Sequence, residues 1–152
     1  MQVLSELLSP VRTVSRAPGS SKKRLFEILA RVISEDNPQL VDTDIFAQLI
    51  ARERLGSTGL GAGIAIPHCR IANCSEPIGC LATLEEAIDF DAPDDIPVDI
   101  LFVLLVPEEA HQAHLDILAR IARLFSQSDF CEQLRSAPDS ETLYRRATGW
   151  TA

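Results

Sequence analysis

The chemistry in this sequence is concentrated between Arg52 and Arg70, in the run R-E-R-L-G-S-T-G-L-G-A-G-I-A-I-P-H-C-R. Gly56, Gly59, Gly61 and Gly63, four of the chain's seven glycines, precede a short apolar run that leads to Pro67 and His68. Glycine serves where a backbone takes positive φ or comes close to another group. A short apolar strand after such a loop, Gly63 to Pro67, is predicted to deliver its last residue to the rim of a sheet. The residue delivered is a histidine, the side chain that is mostly neutral yet nucleophilic near neutral pH. The segment therefore reads as the frame of a phosphoryl-accepting histidine.

That chemistry needs an attacking nitrogen that is neutral and a second ring nitrogen held by an acceptor. It also needs donors to balance the phosphoryl oxygens, and positioning and electrostatics do most of the work. Backbone N–H groups of the 56–63 loop could form an anion nest, Ser57 and Thr58 offer hydroxyls, and Arg52 carries a planar fork suited to phosphate. A helix opening near Pro107 would add its dipole and a second imidazole, His114. Residue types alone leave other readings open. A histidine beside a proline is often structural, and a glycine-rich loop before a strand is a weak signal on its own.

The elements that must hold these residues follow from periodicity. Val3, Leu4, Leu7 and Leu8 suggest one helical turn closed by Pro10, and Val11 to Val14 an outer strand. Leu25, Ile28, Leu29, Val32 and Ile33 have unbroken helical spacing from Lys22 to Ser34, with Ser20 or Ser21 as the cap. The basic start of that helix, Lys22-Lys23-Arg24, opposes the helix dipole and reads as a solvated first turn, with a partner-facing patch as the alternative. A second helix capped by Asp42 or Thr43 buries Ile45, Phe46, Leu49 and Ile50 and stops at Gly56. The glycine loop thus begins where a helix ends. Dinucleotide and P-loop folds need strand, glycine turn, then helix, and G-K-[ST] is absent as well.

Pro77 to Leu84 alternates as a half-buried strand, and Val98 to Val106 is apolar enough for a central strand covered on both faces. Pro107-Glu108-Glu109 opens the next helix, whose buried stripe is Leu115, Leu118, Ile121, Ala122 and Phe125, with His111 and His114 extending it. Ser128 and Asp139 are expected to cap two further helices. One α/β domain, with a mixed sheet and helices on its faces, accounts for this pattern most economically.

Composition narrows the function. At 152 residues the chain has the length of one ordinary domain, and its net charge of −8 lacks the cationic footprint of a nucleic-acid or anionic-membrane binder. No apolar run approaches the roughly 20 residues of a membrane span, and Met1 to Pro10 has no secretory pattern. Cys69, Cys74, Cys80 and Cys131 form neither C-x-x-C nor a disulfide framework, so reduced thiols in a cytoplasm are expected. His111-x-x-His114 with Cys69 and His68 could imitate a zinc site, but a carboxylate at ligand spacing or a second thiol pair is missing. Neither a metal nor a cofactor is expected.

The run L-G-S-T-G-L-G-A-G-I-A-I-P-H resembles the signature of the enzyme IIA proteins of the bacterial phosphoenolpyruvate phosphotransferase system, fructose/mannitol class, and within it the nitrogen-regulatory branch. Ser21-Lys22-Lys23-Arg24, Arg52-Glu53, Pro97-Val98-Asp99 and His114-Leu115 support the resemblance, which covers about residues 5 to 148 of a single domain spanning 1–152. It implies an α/β domain with a mixed sheet of about five strands flanked by helices on both faces, the mannitol-type enzyme IIA fold. It implies that His68 is phosphorylated on Nε2 by a histidine phosphocarrier protein. His114 would be the second active-site imidazole and Arg52 the basic residue beside the phosphoryl group, with Gly56, Ser57, Thr58 and Gly59 around it. The chain would then be a phosphotransferase-type regulatory phosphocarrier whose phosphorylation state controls target proteins. A sugar-transport enzyme IIA and, from another class, a phosphorylation-independent binding module or metal site are the alternatives. Cys69 departs from the pattern, since relatives usually carry glycine there, and reads as a passive small residue.

Overall fold

The computed structural model describes residues 2–110 and 112–151; His111, expected as a partly exposed helix residue or one at the pocket edge, lies outside the described residues. The elements in chain order are α1 (Val3–Leu7), β1 (Thr13–Ala17), α2 (Lys22–Asp36), α3 (Asp42–Leu55), β2 (Gly59–Gly61), β3 (Ile64–Ala65), β4 (His68–Ile71), β5 (Ile78–Ile88), β6 (Val98–Pro107), α4 (Gln112–Phe125), α5 (Ser128–Arg135) and α6 (Ser140–Gly149).

The apolar run from Val98 becomes the centre of the sheet because helices cover both of its faces and no polar side need be presented. β6 pairs antiparallel with β5 on one side and parallel with both β3 and β4 on the other. β1 adds parallel to the outer edge of β5, and β2 folds back antiparallel on β3, giving the order β1-β5-β6-β3-β2. Ile64 pairs with Ile100, Ala65 with Leu101, His68 with Leu104 and Ile71 with Pro107, so β3 and β4 keep a single register on β6. They are one strand interrupted at Ile66–Pro67, where proline has no N–H to give. The Pro67 carbonyl still accepts from the Leu104 N–H at 2.9 Å. Counted this way, the mixed sheet has the five strand positions expected of the mannitol-type fold.

The period of two along this strand sorts its side chains between two layers. Ala65, Cys69 and Ile71 face α2 and α3, where Leu25, Phe26, Leu29, Ile45 and Leu49 form the core. Ile64 and Ile66 face the other layer, built on α1, α4, α5 and α6 around Phe102, Ile121, Phe125 and Phe130.

Several local expectations are corrected. His68 opens β4 in mid-register and does not end a strand. Ile78 to Leu84 is buried on both faces, because helices cover the sheet on each side. Ser21 and Asp139 do cap α2 and α6, but the N-caps of α3 and α5 are Val41 and Gln127, with no side-chain bond. The helix expected from Pro107 begins at Gln112; Pro107 ends β6 and a turn intervenes. Leu115 is 60% exposed, while Ile121 and Phe125 hold the buried stripe of α4.

Candidate functional site

His68 stands half-buried where three segments converge: the C-terminal end of α3, the 57–60 segment and α4. A cleft of about 230 Å³ joins it to Arg52, Ser57, Thr58, Gly59 and Leu60 on one side and Leu118 and Ala122 of α4 on the other. Gly56 is not in its lining.

The imidazole is fixed by the carbonyl two residues before it. His68 Nδ1 lies 2.7 Å from the Ile66 oxygen. A carbonyl can only accept, so Nδ1 carries the proton and Nε2 keeps its lone pair; the tautomer is assigned from this bond. The His114 ring stands across from it, with centroids 5.5 Å apart and planes at 70°. His114 is 9% exposed, and its Nδ1 has no hydrogen-bond partner among the described residues. Burial pushes both imidazoles below the ordinary histidine value of 6.5. At His68 the Ile66 carbonyl works the other way, Arg52 lowers the pKa further and Glu53 raises it; at His114 the His68 ring and Arg70 reinforce the lowering.

The glycine loop differs from an open nest of donors. Gly56 N–H donates to the Glu53 carbonyl at 3.2 Å, and Gly59 N–H to Ser57 Oγ at 3.0 Å. Ser57 Oγ donates to the Phe90 carbonyl at 2.6 Å. Thr58 gives both its hydroxyl and its N–H to the Glu53 carboxylate, at 2.6 and 3.2 Å. Arg52 reaches back to the Gly56 carbonyl at 2.9 Å. The two hydroxyls are already committed to Phe90 and Glu53, so they build the wall of the cleft and a phosphoryl oxygen would have to displace one of these bonds to reach them, whereas Arg52 spends only Nη1 on the Gly56 carbonyl.

Sequence reasoning missed what lies behind that wall. Lys22, read as a solvated cation, turns inward and bonds Glu53 at 2.9 Å while its Nζ lies 4.5 Å from the centroid of the Phe90 ring. A lysine at the first position of a helix, set against the dipole, was the available signal that it had a fixed partner. A second support lies under Gly63, whose φ is +84°. Arg135 bonds Asp99 at 2.9 Å and the Ala62 carbonyl at 2.7 Å, so α5 grips the turn that feeds the histidine strand.

Cys69 faces away from His68 into the layer of α2 and α3, and burial pushes its thiol up to about 12. It therefore cannot join His68 and His114 around one ion. Among the described residues no group of three or more His, Cys, Asp and Glu side chains could hold a metal ion.

The helix-covered mixed sheet places this domain in the mannitol enzyme IIA fold class. The crystal structure of IIA mannitol from Escherichia coli has this fold: TM-score 0.75 at 12% identity, over 92% of this chain and 98% of that one. The nitrogen regulatory protein IIA-Ntr of Neisseria meningitidis matches with a TM-score of 0.87 and 40% identity, over 96% of this chain and 99% of the other. The nitrogen regulatory protein of Pseudomonas aeruginosa is 48% identical over 142 residues, 93% of this chain and 92% of the relative. Residues 6–147 match the family described as phosphoenolpyruvate-dependent sugar phosphotransferase system, EIIA 2, and the chain belongs to that family.

Proposed function

We propose that this protein is a regulatory phosphocarrier that accepts a phosphoryl group on His68 Nε2 from a histidine phosphocarrier protein. The observation that carries the reading is the 2.7 Å bond from Nδ1 to the Ile66 carbonyl, which leaves Nε2 unprotonated on a ring that lines a cleft together with Arg52. The donor's N–P bond breaks and its electron pair returns to the donor imidazole, while the His68 Nε2 lone pair forms the new N–P bond. The Nδ1 proton stays in place, so no separate base is required. Arg52 offers a fork for the phosphoryl oxygens, His114 the second imidazole, and Gly56, Ser57, Thr58 and Gly59 the loop that shapes the pocket.

Phosphorylation would bring close to two negative charges to a chain already at −8 and so change which target proteins bind. The family and the nitrogen regulatory relatives support a regulatory output in the cytoplasm; among the described residues no helix is long and apolar enough to cross a membrane. Incubation with phosphoenolpyruvate and the general phosphotransfer proteins should give an acid-labile label, and the two phosphorylation states should capture different partners. Full acid-labile labelling of His68→Ala would overturn the assignment. Onward transfer from His68 to a permease domain would favour a role in sugar transport instead.

A further inference from the structure

Lys22 and Glu53 form a charge pair whose placement is costly for both. The Glu53 side chain is 5% exposed and that of Lys22 21%. A carboxylate so far out of water is tolerated only when donors surround it. Here Lys22 Nζ, Thr58 Oγ1 and the Thr58 N–H supply them, at 2.9, 2.6 and 3.2 Å. Lys22 in turn sits at the unfavourable end of the α2 dipole and also reaches the Phe90 carbonyl at 3.4 Å, the same oxygen that holds Ser57. Every one of these bonds converges on the wall of the His68 cleft, and none meets the cleft's interior as a free donor.

We propose that Glu53 and Lys22 are positioning residues for phosphoryl transfer at His68. The pair pins the 57–59 wall, and its balance of one negative and one positive charge contributes to the field at the imidazole beside that of Arg52. This rests on the reading of His68 as the phosphoryl acceptor. Among the described residues, Arg52 and Glu53 of α3 act on His68, while the His68 ring and Arg70 of β4 act on His114 of α4 and Lys22 of α2 stands behind Glu53. Removing the carboxylate leaves Lys22 uncompensated and makes the field more positive, which favours the neutral ring. Removing the lysine does the reverse.

The test compares the full-length protein with Glu53→Gln, Lys22→Gln, the double variant and His68→Ala. His68 is titrated by NMR, and phosphorylation by the histidine phosphocarrier protein is timed. The His68 midpoint should fall in Glu53→Gln, rise in Lys22→Gln and return near the parent value in the double variant. The maximal phosphorylation rate of Glu53→Gln should drop about tenfold with little change in the half-saturating donor concentration. A purely structural anchor would lower the thermal stability of both single variants and leave midpoint and rate unmoved, and that result overturns the inference. Should Glu53→Gln fail to fold, an unshifted midpoint in Lys22→Gln overturns it equally. Labelling of the parent at His68 with unaltered variants refutes this inference alone. An unlabelled parent, or a labelled His68→Ala, refutes the acceptor assignment beneath it.

Discussion

His68 Nδ1 is held 2.7 Å from the carbonyl of Ile66, a residue of the break between β3 and β4. The orientation of the reactive ring is thereby written into the local backbone and does not depend on a distant side chain. In the free protein, nitrogen NMR should show a neutral His68 with the proton on Nδ1, and phosphorus should appear on Nε2 after transfer. A dominant Nε2–H form would contradict the geometry.

Phosphoryl acceptance should weaken in acid, because an imidazolium has no lone pair with which to attack. Burial lowers the His68 pKa, so the rate should stay above half its maximum at pH 6.5 and fall only below that. Folding stability follows the same direction. The unfolded chain binds these protons more readily than the folded one, so the contribution of His68 and His114 is complete above 6.5 and is lost as pH falls through the folded midpoints. A chemistry-limited rate that passes through half its maximum above pH 6.5, or that rises as the pH falls, would count against the site.

Gly63→Ala should destabilise the fold by about 2 kcal/mol or more. The backbone there has φ +84°, and an added Cβ would lie 2.8 Å from Arg135 Nη2 and 3.0 Å from Asp99 Oδ1. Chemical denaturation measures the loss. Because this turn feeds the histidine strand, the rate of His68 labelling should fall along with stability.

The native thiols should be inert. Cys69, Cys74, Cys80 and Cys131 are all free and buried, and burial pushes Cys69 and Cys80 up to about 12. A thiol-reactive disulfide reagent should label them slowly in the native protein and fully once it is unfolded. Fast native labelling of Cys69 would contradict its burial against α2 and α3.

The sheet and its helical layers were legible in the sequence because they rest on repeated signals. The run after Val98 and the spacing of Leu25, Leu29 and Ile33 each leave one economical arrangement. His68 stood out through its glycine and proline neighbours. What was not legible is how the loop spends its donors. Ser57 and Thr58 look identical as free hydroxyls or as groups tied to Phe90 and Glu53, since only tertiary contact decides which. Lys22 was misread for the same reason: its partner lies 31 residues away. Leu115 misled the stripe because helical spacing fixes a face only to within one residue at a helix start.

The unbroken pairing of residues 64–71 with β6 makes the location of the nucleophile a matter of odd and even. Adding or deleting one residue between Ile64 and Pro67 would swing the ring to the opposite side of the sheet, into the packing of α2 and α3. Length changes of that kind should be lethal to activity while leaving most of the fold intact. Insertions in the exposed acidic turn at 93–97 leave that parity untouched, and their cost is instead the 2.8 Å bond by which Asp94 accepts from the Ala62 N–H.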